Sequence, residues 1–352
     1  MRLALGIIGA LSVALLLIAG AVYFAVTVSP LPAVLLIRHG FDRGAAKASA
    51  ALEPYMPDDV ASELNVRYDA SDPSGYLDVF FPKSAQQTQK SLTTVVWIHG
   101  GAWVSGEKDQ ISSYARILAH LKFTVVSVDY AIAPEKHYPV PIREVNAALG
   151  YLAKNGRRLH VDSARFVLAG DSAGAQIAAQ VANLIAVPSY AAAMGVAPAI
   201  PRKHLLGAVL YCGLYDLNKL DFDGPSGGFW RTVLWAYSGG KDFQTNSAFS
   251  TASVIKYVTS TFPSAFISTG NADPLAAQSY EFASALKRKH VRVDSLFFLK
   301  GQTPPLGHEY QFDLDTNAGQ TALTKSATFL VSLRRIAGVA LRPKERRRRR
   351  AT

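Results

Sequence analysis

The sequence predicts a mostly parallel α/β sheet with helices on both faces, preceded by one apolar helix of membrane-spanning length. Three observations carry this prediction. From about Glu63 onward, short runs rich in β-branched and aromatic residues alternate with helical stretches of 10–20 residues. Residues 3–28 contain no charge. Residues 213–262 break the alternation with a long aromatic segment, an insertion above the sheet.

Each element follows from its own residues. The uncharged run 3–28 would be about 39 Å long as a helix, enough to cross a hydrocarbon core of about 30 Å with some tilt. A cleaved signal peptide has an apolar core of only ~7–15 residues. Ala19-Gly20-Ala21 would suit cleavage, but VYFAVTV continues the apolar run beyond it. A single-pass N-terminal anchor over 1–28 is therefore expected, with a signal peptide and a buried helix as the alternatives. Arg2 on one side and Arg38, Arg43 and Lys47 on the other set no orientation. Four prolines, Pro30, Pro32, Pro54 and Pro57, mark 29–62 as a linker leading into a helix. Strands are expected at 77–81, 94–98, 124–128, 166–169, 208–211, 265–268 and 295–299. Helices are expected at 112–120, 142–155, 173–185, 277–289 and 320–335. They make one domain over 63–338, with 213–262 as an insertion.

Composition excludes several classes. With 49% apolar and 18% charged residues the chain is not a disordered one. Its one cysteine, Cys212, excludes an intrachain disulfide and any cysteine-rich zinc or iron–sulfur site. The net charge of +11 is concentrated in residues 341–352, which hold seven basic residues against one acid. A basic disordered tail over 339–352 is expected, either solvated or lying on anionic lipid headgroups. No aromatic or groove-reading motif accompanies it, so nucleic acid is not expected as a partner. Cys212 on a predicted strand reads as a small buried apolar residue.

The chemistry-bearing motifs come in a definite order. Gly170-Asp171-Ser172-Ala173-Gly174 follows a predicted strand and opens an alanine-rich helix. A G-x-S-x-G in that setting is a nucleophile elbow, with flanking glycines because side chains there would strike the neighbouring strand and helix. His99-Gly100-Gly101-Ala102-Trp103 follows the strand 94–98. Its amides, from Gly100, Gly101 or Ala102, with that of Ala173, can face the oxygen of a tetrahedral intermediate. Of the eight histidines only His204, His290 and His308 follow Ser172. His308, in the loop after the last strand, is the candidate base. Asp273, directly after the strand 265–268, is the candidate acid; Asp216 lies one strand too early and suits a local cap. Phe229 and Trp230 of the insertion, with Trp103, are candidate walls of an acyl pocket, although a cap core draws on the same residue types.

At these residues the chain resembles the hormone-sensitive-lipase-like branch of the α/β-hydrolase fold. The marks are HGGAW (99–103), DYAIAPEKHYP (129–139), GDSAG (170–174), DPL with Tyr280 (273–280) and GHEYQF (307–312). The resemblance covers roughly 77–333. It implies an α/β-hydrolase domain over 63–338 with a small helical cap built from 29–62 and the insertion 213–262, and a serine carboxylesterase or lipase-like activity on small-molecule or lipid esters through an acyl-serine. It implies no cofactor, and no metal site is expected. The usual third glycine of the loop is Ala102 here, and the arginine of the second signature is Ala131. The HGG-x-W form also resembles kynurenine-formamidase-type proteins, so an amidase of formamidase or arylacylamidase type is the alternative. A ligand-binding protein on a hydrolase scaffold is the further alternative; the complete set Ser172, Asp273 and His308 argues against it. Nothing in the sequence sets the oligomeric state.

Overall fold

A computed structural model describes residues 2–340; the expected basic tail falls, from residue 341 on, outside the described residues. In chain order the elements are α1 (Arg2–Val28), α2 (Leu31–Leu52), β1 (Val60–Arg67), β2 (Tyr76–Pro82), α3 (Lys83–Gln87), β3 (Leu92–Ile98), α4 (Ser112–His120), β4 (Thr124–Val128), α5 (Val140–Asn155), β5 (Val161–Asp171), α6 (Ser172–Ala186), α7 (Pro188–Met194), β6 (Leu205–Tyr211), α8 (Gly227–Ser238), β7 (Ser264–Thr269), α9 (Ala276–Arg288), β8 (Val293–Phe297) and α10 (Asn317–Ala340). The eight strands form one sheet in the order β1-β2-β4-β3-β5-β6-β7-β8. β2 runs antiparallel to both β1 and β4, and all other neighbours are parallel.

The two-residue period of the strands divides the core into two layers. Val96, Ile98, Leu168, Leu210 and Ile267 face one way, onto Val145 and Leu149 of α5, the small residues of α6 and Phe282 of α9. Val95, Trp97, Val167, Val209 and Phe266 face the other way, onto Tyr114 and Leu118 of α4 and Phe329 of α10. Most of the central strand residues are fully buried, which is why their sequences read as continuous apolar runs.

Three differences from the sequence expectation have physical causes. β1 has no apolar run because it is an edge strand with exposed positions, and a bulge interrupts it between Glu63 and Val66. At the other edge β8 pairs two residues earlier than expected, and Leu299 is left exposed in the following loop. The stretch after Ser29 is helical from Leu31 to Leu52, because Pro30 and Pro32 stand at the helix start, where a missing N–H costs nothing.

Among the described residues, α1 alone is by itself long and apolar enough to cross a membrane, and its stretch Leu11–Val28 is not buried against the rest of the chain. α2 meets α8 through the Phe41–Phe229 ring pair, 6.2 Å between centroids. Arg38 fastens α2 to the body of the protein. It pairs with Glu135 through Nη1 and Nη2, at 2.8 and 2.5 Å, and donates from Nε to the Val104 carbonyl and from Nη2 to that of Ala133.

Candidate active site

β5 passes into α6 with no intervening loop, and Ser172 stands at the junction with φ +51°. A left-handed serine is strained, and a left-handed residue between a strand and a helix is the shape that lifts a side chain clear of the sheet. The flanking glycines are required. A Cβ on Gly174 would lie 2.1 Å from the Ile98 carbonyl oxygen, and one on Gly170 would lie 2.6 Å from the Gly174 backbone.

Asp273 sits between β7 and α9, and His308 in the loop after β8. Two hydrogen bonds zip these loops together: Ala272 N–H donates to the Leu306 carbonyl and Leu306 N–H to Asn271 Oδ1, both 2.9 Å. The zip brings His308 Nδ1 to 3.0 Å from Asp273 Oδ1. Asp273 also accepts from the Leu275 N–H and the Thr269 hydroxyl, each at 2.8 Å. Burial alone would raise its pKa, but the His308 hydrogen bond and charge, with these other donors, hold the carboxyl below its ordinary range. Asp216 does something else: it caps a short turn, accepting from the Asn218 N–H at 3.1 Å.

The glycine loop is held from behind. His99 is fully buried, stacked on Tyr130 at 4.3 Å, and its Nδ1 lies 2.8 Å from the Gly100 carbonyl. Burial pulls its pKa down to about 4, so it is a neutral strut whose Nδ1–H donates. The Tyr130 hydroxyl donates to the His99 carbonyl at 2.9 Å, which gives the second signature of the sequence a structural role. Ala102 and Trp103 both take positive φ, +51° and +61°. The Trp103 ring is buried, stacked on Tyr237 at 4.9 Å and donating to Gln176 at 3.1 Å.

Two carboxyl groups converge on this loop, and sequence reasoning did not single either out. Asp171 accepts from Trp97 Nε1 at 2.7 Å and faces Glu309 and the Gly100 N–H. Burial, then the Glu309 charge, pushes its pKa well above the ordinary carboxylate value, which favours the neutral acid beside Glu309. Glu309 takes a left-handed φ of +59° and places Oε1 3.8 Å from His308 Nε2. Partial burial draws the His308 pKa down, but the Asp273 hydrogen bond and the charges of Glu309 and Asp273 outweigh it and raise it to about 9. The sequence signals for Glu309 were its place next to the candidate base and within the GHEYQF mark.

Ser172, Ala173, Gly100, Gly101, Ala102 and His308 all wall one cavity of about 400 Å³. Trp103, Phe229 and Trp230 (the latter two from α8), and Gly40, Phe41 and Gly44 of α2 are also among its lining. Cys212, Asp273 and His308 bring potential metal-binding atoms within 4.8 Å of one another, the one such grouping among the described residues. Asp273 and His308 are already paired there, and Cys212 accepts the Glu309 N–H at 3.3 Å while burial raises its pKa. That environment suits a neutral thiol better than a metal-bound thiolate.

The model of a family described as alpha/beta hydrolase fold matches residues 95–302. Carboxylesterase NlhH of Mycobacterium tuberculosis is 43% identical over 95 residues, 27% of this chain and 30% of that protein. Esterase LipI of the same organism is 38% identical over 106 residues, 30% of this chain and 33% of that protein. The chain thus spans about a third of the length of the curated relatives it matches. Among solved structures, esterase B from Lactobacillus rhamnosis superposes with a TM-score of 0.74 at 23% identity, covering 88% of this chain and 98% of that one.

Proposed function

The chain belongs to the α/β-hydrolase-fold family, and from that premise we propose that it is a membrane-anchored serine carboxylesterase. The observation that carries the reading is His308, held 3.0 Å from the buried Asp273, facing the same cavity that Ser172 enters from a strained elbow. Ester hydrolysis is also what the names of the matched relatives state. In this reading 1–28 is the anchor, 29–62 the linker and cap segment, and 63–338 the hydrolase domain with 213–262 as its cap insertion.

Ser172 Oγ attacks the ester carbonyl while His308 Nε2 takes its proton. Asp273 fixes the Nδ1–H tautomer and stabilises the imidazolium. The carbonyl oxygen becomes an oxyanion against the N–H groups of Ala173, Gly101 and Ala102. Losing one such donor costs about 3–4 kcal/mol. The Gly100 N–H is turned to Asp171, so Gly100 supports the loop by allowing that carboxyl close to it: a Cβ there would lie 2.4 Å from Asp171 Oδ2. The tetrahedral species collapses, His308 returns the proton to the leaving alcohol, and an acyl group remains on Ser172. Water then repeats the sequence with His308 as base and releases the acid.

The test uses the full chain in detergent micelles with p-nitrophenyl butyrate and the matched butyranilide. Turnover of the ester by wild type and none above the spontaneous rate by Ser172→Ala supports the reading. Retained turnover in Ser172→Ala overturns the mechanism, and faster cleavage of the anilide overturns the ester assignment.

A further inference from the structure

We propose that α2 lies on a lipid bilayer with its exposed leucines in the lipid, so that the cavity draws its ester from the membrane; the delivery step rests on the esterase reading above. The argument starts from chain continuity. Only Ser29 and Pro30 separate the end of α1 from the start of α2. α2 is apolar on two sides. Val34 is buried in the protein, whereas Leu31, Leu35 and Leu36 are 38%, 53% and 77% exposed. Leu31 and Leu35 are one turn apart and Leu36 adjoins them, so they form a single patch directly beyond the span. A helix that buries one side in its own core and leaves a leucine patch open on the other needs a second apolar phase. The end of α1 places that phase beside it.

The cavity is tied to the same place from two directions. Gly40, Phe41 and Gly44, which wall it, begin one helical turn after Leu36, about 6 Å along the axis. Its other wall, Phe229 and Trp230, belongs to α8. Just past α8, Lys241 donates from Nζ to the Thr27 carbonyl at 2.6 Å, with its ammonium 4.4 Å from the Trp235 ring centroid. Lysine and tryptophan at the last turn of a span are the residue types of a membrane–water interface. One wall of the cavity is therefore joined to the end of α1 by the chain and the other by a hydrogen bond. A substrate dissolved in the bilayer, an acylglycerol or another lipophilic ester, meets the mouth without crossing bulk water.

The test places the full chain in phosphatidylcholine vesicles containing dioctanoylglycerol, with p-nitrophenyl acetate as the water-soluble ester. The double variant Leu35→Glu, Leu36→Glu is expected to lose at least roughly tenfold of the dioctanoylglycerol rate while keeping the p-nitrophenyl acetate rate. An unchanged dioctanoylglycerol rate, or an equal loss on both esters, overturns the proposal. Position is read independently of activity. Because Cys212 is buried, Leu36→Cys can be labelled alone with an environment-sensitive nitrobenzoxadiazole dye. Emission shifted to the blue and quenched by spin-labelled lipid is expected there, and emission like that of water overturns the proposal. The same dye on Lys90→Cys, before β3 and so at the end of the strands opposite the site, should report water. Absence of p-nitrophenyl acetate hydrolysis in wild type would instead sink the esterase reading, and the dye would still report where α2 lies.

Discussion

Replacing Glu309 by Gln removes one negative charge 3.8 Å from His308 Nε2, the nitrogen that accepts the serine proton in the proposed mechanism. At that distance two unit charges interact by about 4 kcal/mol at an effective dielectric of ~20 and about 1 kcal/mol in water. The Glu309 side chain is 35% exposed, so screening places the effect toward the lower figure, about 1–2 kcal/mol or roughly one pH unit on His308. The free enzyme needs neutral His308, so kcat/KM should rise with pH through the histidine pKa, raised here to about 9. In Glu309→Gln that limb should move down by about one unit, and kcat/KM at pH 7 should rise by roughly tenfold. The sign on stability is the reverse. A histidine with a raised folded-state pKa adds stability that is full below its ordinary value of 6.5 and is lost as pH rises through about 9. The melting temperature of wild type should therefore fall over that window more steeply than that of the variant. The assay is kcat/KM for p-nitrophenyl acetate from pH 6 to about 10, with buffers matched for ionic strength. A limb that stays in place, or one that moves up, would refute the assignment of Glu309 as the second charge on the base.

Asp273→Asn should lower kcat by about 10⁴ with little change in KM, because the histidine then loses its tautomer; steady-state kinetics check this. Asp216→Asn should leave kcat near wild type and cost at most about 1 kcal/mol of stability in a denaturant titration, since its task is a cap. Gly174→Ala should destabilise by several kcal/mol or prevent folding, because its Cβ would meet two backbone carbonyls; soluble yield and thermal melting read this. Arg38→Ala should raise KM more than it lowers kcat, because it frees the α2 wall of the cavity and leaves the proton path intact.

The elbow was legible in the sequence because its requirements are local. Gly170 and Gly174 are needed for contacts with β3 and with each other, and any chain that builds this turn must carry them. Asp273 and His308 were legible as a pair through chain order, since each follows a strand and the two strands, β7 and β8, are neighbours whose loops meet. Glu309 was not, because a carboxylate beside a loop histidine looks like any solvated charge until Gly100 and Asp171 arrive from two other strands. Arg38 reads as a flanking membrane charge in the sequence, yet it is a clamp, and its partners Val104, Ala133 and Glu135 lie 66 to 97 residues away. β1 was missed because an edge strand with a bulge carries no apolar run. Periodicity reports burial, and what it leaves unread here are the elements and charges whose partners come from distant parts of the chain.

The central claim is that Ser172 is an activated nucleophile. The most direct measurement treats the full chain with a fluorophosphonate probe, beside Ser172→Ala, and follows the adduct by intact mass and peptide mapping. The account predicts one adduct per chain on Ser172, none on the variant, and slow labelling of Asp273→Asn. Folded wild type that takes up no probe, or that carries the adduct on another residue, would contradict it.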